Sequence, residues 1–108
     1  MSLKDMQKQV DDWAKQFDPP YWQPPEVMLR LMEETGELAR EVNHRWGPKK
    51  KKSTEEMKEL EDEIGDILFT LSCLANSKNI DLDVAFARTM DKCWGRDKDR
   101  YKKKEDVT

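Results

Sequence analysis

Apolar residues recur along this chain at helical spacing, and no segment alternates apolar with polar as a strand would. Leu3, Met6, Val10, Trp13 and Phe17 are separated by 3, 4, 3 and 4 residues, which places them on one face of an amphipathic helix. Ser2 and Asp5 resemble a capping box at its start. The segment DPPYWQPP, Asp18 to Pro25, ends it, because proline cannot continue a helix. A second helix is predicted from near Pro25, since proline is tolerated in a first turn. Val27, Met28, Leu31, Leu38 and Val42 form its stripe, and WGPKKKKS, Trp46 to Ser53, breaks it. Ser53 with Glu56 reads as the next capping box, opening a third helix from about Thr54 to Asn76. Leu60, Ile64, Ile67, Leu68, Leu71 and Leu74 face one side of it. After a turn at Asn79 to Asp81, Asp81 is placed to cap a fourth helix carrying Leu82, Ala85, Phe86, Thr89, Met90 and Cys93. That helix fades into the basic tail RDKDRYKKKED.

The pattern therefore predicts an all-α, four-helix bundle-like chain forming one domain over residues 1–108. The third helix changes the picture. Fourteen residues lie between Glu63 and Lys78, and of these Asp66 alone is charged. A helix apolar on nearly all sides is a buried one. Three short helices can hardly cover it, so completion by oligomerisation, as a homodimer or homotetramer, is expected. Asp66 inside such a segment needs a partner or a metal, because burying a lone carboxylate is costly.

Charged residues make up 40% of the chain and apolar ones 36%, a balance that approaches that of disordered chains. The periodicity, with four Trp, three Phe and two Tyr, argues instead for a packed domain. A net charge of -3 does not favour nucleic-acid binding. No run of 18 apolar residues is present, so no membrane span is expected. With no signal-peptide pattern, Cys73 and Cys93 read as free thiols of a cytoplasmic protein.

The acidic residues carry the chemistry. Glu34 and Glu37 are i and i+3 on the second helix, and Glu63 and Asp66 are i and i+3 on the third, so each pair shares a helix face. If the two helices are antiparallel, the pairs can meet. Four carboxylates at one place repel, so either some are protonated or a cation neutralises them. Oxygen ligands suit Mg²⁺ or Mn²⁺. Redox iron is disfavoured, because bundle di-iron sites use Glu-x-x-His pairs and the chain has one His, His44.

EETGE, Glu33 to Glu37, followed by EIGD, Glu63 to Asp66, resembles the EExxE…ExxD signature of the MazG-like nucleotide pyrophosphohydrolases. Helix order and the apolar run after Asp66 fit as well, so the resemblance covers nearly the whole chain. It implies the all-α fold shared by the MazG, dimeric dUTPase and dCTP pyrophosphatase groups. It also implies Mg²⁺-dependent hydrolysis of a nucleoside triphosphate to the monophosphate and pyrophosphate, in a nucleotide-pool house-cleaning role. By position it makes Glu34, Glu37, Glu63 and Asp66 the metal ligands. Family members carry Lys and Arg on the last helix, where Lys92 and Arg96 stand here, one turn apart on one face. The Asn-containing form of that last motif is not matched, as Asp91 stands before Lys92. A spare carboxylate would act as base toward the attacking water, the candidates being Glu33, Glu41 and Glu59. The alternative is a non-enzymatic helical interaction module whose acid pairs make inter-subunit salt bridges.

Among the aromatics, Trp22 in the proline-braced loop is placed either to stack on a nucleobase or to plug the bundle end. Trp13 reads as core packing. Lys49 to Lys52 reads as a solvated loop or as a means of steering an anionic substrate.

Overall fold

The structure, a computed structural model, describes residues 1–48, 57–96 and 99–104. Helices α1 (Leu3–Ala14), α2 (Pro24–Trp46), α3 (Met57–Ser77) and α4 (Leu82–Gly95) follow in order, and the described residues contain no strand. The Ser2 capping box forms: the Asp5 N–H donates to Ser2 Oγ at 3.0 Å, and the Ser2 N–H donates to the Asp5 carboxylate at 2.9 Å. Asp81 caps α4 by accepting from the Asp83 N–H at 2.9 Å. The Ser53–Glu56 pair, the start of the third helix at Thr54, the run Lys49 to Lys52 and the end of the tail lie outside the described residues.

One boundary differs from the pattern. Helix α1 ends at Ala14, and Phe17, though in phase with the stripe, sits in the following turn, its N–H donating to the Ala14 carbonyl at 3.0 Å. The prolines after Asp18 pull the chain out of helix before the stripe is complete.

Helices α2 and α3 make the main pair, α1 lies along α3, and α4 rests on α1. The apolar core is thin: Val10, Ala14, Val27 and Ala75 are buried. A polar clasp supplements it. The buried Gln7 amide donates to Asn76 Oδ1 at 3.0 Å and to the Ile80 carbonyl at 2.7 Å. Its oxygen accepts from the Leu82 N–H at 2.9 Å. Asn76 returns a bond to the Gln7 carbonyl at 2.9 Å and donates to the Tyr21 hydroxyl at 3.1 Å. One side chain of α1 thus holds α3 and the turn into α4. Asp83 adds to this by accepting from the Leu3 N–H at 3.0 Å, at the start of α1.

Within one chain, as the pattern implies, three helices do not cover α3. Ile64, Leu68, Phe69 and Leu71 are each more than a third exposed, Leu68 at 43%, and Asp66 is exposed. The neighbouring helices cover one side of α3 and leave the opposite face open.

Candidate active site

Glu37 lies against Glu63, and Glu34 lines the same cleft as Asp66. The pairing runs in opposite directions along the two helices, so α2 and α3 are antiparallel and their acids meet midway. The i,i+3 spacing turns Glu34 and Glu37 toward α3, and Glu63 back toward α2. Carboxylate oxygens of Glu34, Glu37 and Glu63 all lie within 4.8 Å of one another.

Glu34 is only 3% exposed. Its Oε1 accepts from Arg30, one turn earlier, at 2.9 Å. Its Oε2 is buried without a hydrogen-bond partner, and so is one oxygen of Glu63. Buried carboxylate oxygens without partners are costly, and both belong to carboxylates of the same three-residue cluster. Burial pushes the Glu34 carboxyl above the usual carboxylate range, Arg30 pulls it back, and the charges of Glu37, Asp66 and Glu33 raise it again. Burial pushes the Glu63 carboxyl up to about 7, with the Glu37 carboxyl hydrogen-bonded beside it and the charges of Glu37, Glu34 and Asp66 acting in the same sense. The Arg30 ion pair meets one of the three clustered carboxylates, that of Glu34. Two oxygens facing each other across one Mg²⁺ stand about 4 Å apart, so the spacing and the all-oxygen donor set both fit a hard divalent cation.

Beside the cluster opens a cleft of about 410 Å³, lined among others by Glu34, Asp66 and Thr70 and by the aromatic Trp13, Trp22 and Phe69.

A family profile, the MazG nucleotide pyrophosphohydrolase domain, matches residues 23–101. The chain belongs to that family. It is therefore an enzyme of the hydrolase class, and the interaction-module alternative gives way. The MazG relatives are close. The Bacillus subtilis (strain 168) protein YpjD, described as uncharacterized, is 54% identical over 105 residues, 97% of this chain and 95% of that protein. The crystal structure of Bacillus subtilis YpjD, provisionally described as a pyrophosphatase, superposes with a TM-score of 0.80 at 54% identity, covering 85% of this chain and 94% of that one. A Bacillus-conserved MazG protein, described as a nucleotide pyrophosphohydrolase, superposes with a TM-score of 0.74 at 49% identity, covering 85% of this chain and 88% of that one. Enzymes of the MazG family typically use a divalent metal.

Of the four MazG-type ligands expected, the structure brings Glu34, Glu37 and Glu63 together. Asp66 stands apart, exposed in the cleft, near enough for its charge to raise both Glu34 and Glu63. The burial expected of Asp66 belongs instead to Glu34, because the face of α2 bearing Glu34 is the one that α3 covers. Glu33 and Glu59 are exposed and Glu41 is half-buried, and none joins the three-carboxylate group. Lys92 and Arg96 are exposed at the end of α4, a helix that rests on α1 and makes no substantial contact with α2. Neither lines the cleft. Trp22 does line it.

The Trp13 reading is corrected: this side chain is 53% exposed and forms part of the cleft wall. Its ring meets Phe17 edge-on at 5.0 Å and Phe69 at 5.7 Å between centroids. The sequence held a signal for this. Trp13 and Phe17 close a stripe that runs straight into a proline loop, so no further turn of α1 follows to seat them. Arg30, the partner of Glu34, was also missed, although its i,i+4 position was open to inspection.

Proposed function

We propose that the chain hydrolyses nucleoside triphosphates, ribo or deoxyribo, to nucleoside monophosphate and pyrophosphate with Mg²⁺ or Mn²⁺ as cofactor. The observation that carries this reading is the pair of partnerless buried oxygens on Glu34 and Glu63, two residues whose carboxylates cluster with that of Glu37. Glu34, Glu37 and Glu63 would hold the cation, with Asp66 as the fourth carboxylate on the substrate side. Bound there, the cation polarises a phosphoryl oxygen and lowers the pKa of a water.

The residues of the chain do the rest. Arg30 fixes the Glu34 carboxylate so that its other oxygen stays directed into the cluster. A spare carboxylate, with Glu33, Glu41 and Glu59 as the candidates, would act as the base. It would take a proton from the water that attacks the α-phosphorus, and the bond to the bridging oxygen would break with pyrophosphate leaving. Trp22 would hold the base in the cleft. Lys92 and Arg96, remote from the cluster within one chain, would reach a triphosphate from the α4 of a second copy, which ties their role to a homodimer or homotetramer. Such a hydrolase would work in the cytoplasm, on the nucleotide pool there.

Pyrophosphate release from a panel of NTPs and dNTPs tests the proposal. Release with Mg²⁺, abolished by chelation and lowered at least about 100-fold by Glu37→Gln, is the expected outcome. Absence of release from every nucleotide overturns it.

A further inference from the structure

Most of the aromatic lining of the cleft, Phe69 excepted, precedes the part of the chain that the family profile matches. Trp13, Phe17, Pro19, Pro20, Tyr21 and Trp22 all precede residue 23, where that match begins.

The wall is preformed. The Tyr21 hydroxyl donates to Asp11 on α1 and accepts from Asn76 on α3, which ties the proline loop down at its centre. Phe17 and Phe69 hold Trp13 by edge-to-face contacts inclined at 60° and 75°, and Trp13, 53% exposed, lines the cleft. Trp22, 57% exposed, lines the same space. Continuity with the carboxylates supplies the occupant: Glu34 and Asp66 line this cleft too, so a ligand whose phosphates lie at the cluster has its base against the aromatics. The volume of about 410 Å³ lies within the range of small-ligand sites.

The polar groups around that base are mostly committed elsewhere. Arg30 is held by Glu34, Tyr21 by Asp11 and Asn76, and the Thr70 hydroxyl donates to the Asp66 carbonyl at 2.8 Å. Burial pushes the Cys73 thiol up, leaving it a neutral, weak donor. No Asn or Gln is among the described lining residues. A site that reads base edges needs such groups, because discrimination by hydrogen bonding rests on bidentate or paired polar contacts. Stacking is indifferent to edge chemistry and grows with ring area.

We infer that Trp13 and Phe69, with the proline loop, make this cleft a stacking site that selects purine over pyrimidine nucleotides and does not distinguish adenine from guanine. The inference rests on the nucleotide pyrophosphohydrolase reading above.

Steady-state pyrophosphate release with ATP, GTP, CTP and UTP in Mg²⁺ tests it. Expected are kcat/KM values for ATP and GTP about tenfold above those for CTP and UTP, and within about threefold of each other. Trp13→Ala and Phe69→Ala should raise KM for the purines about tenfold, leave kcat nearly unchanged, and bring the purine-to-pyrimidine ratio toward one. Equal values for the four nucleotides in the wild type overturn the inference and leave triphosphate hydrolysis standing. If no nucleotide is hydrolysed, intrinsic tryptophan fluorescence decides the cleft separately. Saturable quenching by AMP, stronger than by CMP and lost in Trp13→Ala, supports the stacking site, and equal or absent quenching overturns it. A change of mass on light scattering in Trp13→Ala, with an unchanged ratio, identifies the wall as a subunit contact and also overturns it. Should Trp13→Ala fail to fold, Trp22→Ala on the exposed loop carries the same ratio test.

Discussion

Glu63 shows how one side chain records the design of the site. Its carboxyl is pushed up to about 7 by burial and by the acids around it, so in the metal-free protein it resists ionising where a free glutamate would be charged. A folded-state pKa above the unfolded one contributes stability that is complete below the unfolded value of about 4.5 and is lost as pH rises through about 7. Glu34, raised mainly by burial, acts in the same direction. Asp5 and Asp11 are lowered by their hydrogen bonds to Ser2 and Tyr21, so their contributions disappear only at more acid pH. Metal-free protein is therefore expected to melt at a higher temperature at pH 5 than at pH 8. Glu63→Gln should flatten that slope, and saturating Mg²⁺ should raise the pH 8 value most, since the cation binds the folded state alone. Thermal melts at the two pH values, with and without metal, check this. A slope unchanged by Glu63→Gln would contradict the assignment.

Among the elements, α1 is held by the burial of Val10 and Ala14 and by Gln7, whose amide serves Asn76, Ile80 and Leu82 at once. Gln7→Leu leaves those groups without their partner and is expected to destabilise the fold by about 1–3 kcal/mol, read as a lower urea midpoint at unchanged slope. The elements themselves were legible in the sequence, because a 3–4 spacing and a cap at Ser2 or Asp81 are local signals. The acid pairs were legible as well, since i,i+3 spacing fixes a shared face whatever the tertiary context. The pattern could not say which acid is buried. That depends on which face of α2 lies against α3, and a helix as apolar as the stretch after Glu63 has no evident outer side. Exposure of Asp66 and burial of Glu34 follow from that choice. The partnership of Gln7 with Asn76 was equally hidden, because the two residues are far apart in sequence and meet only once α1 lies along α3.

For the molecule as a whole, the uncovered face of α3 continues into a groove of about 330 Å³ lined by Leu68, Leu71, Leu74 and Phe86, at the junction with α4. An apolar face of this kind marks an interaction site. Burying Leu68, Leu71 and Phe86 against a second copy would stabilise an assembly by roughly 1.5–3 kcal/mol for each side chain fully covered. Light scattering at micromolar concentration is expected to give a mass at least twice the 12.8 kDa of one chain. Leu68→Glu should shift the species toward the monomer, because a charge placed in an apolar contact is left unpaired. A folded wild-type species at the mass of one chain would contradict the assembly.

The central claim is that Glu34, Glu37 and Glu63 form a divalent-cation site, and calorimetric titration of the metal-free protein with Mn²⁺ tests it most directly. The predicted result is saturable binding that Glu37→Gln weakens at least about tenfold, roughly 1.4 kcal/mol, with the helical circular-dichroism spectrum unchanged. Binding of equal strength in the wild type and in Glu37→Gln would contradict the claim.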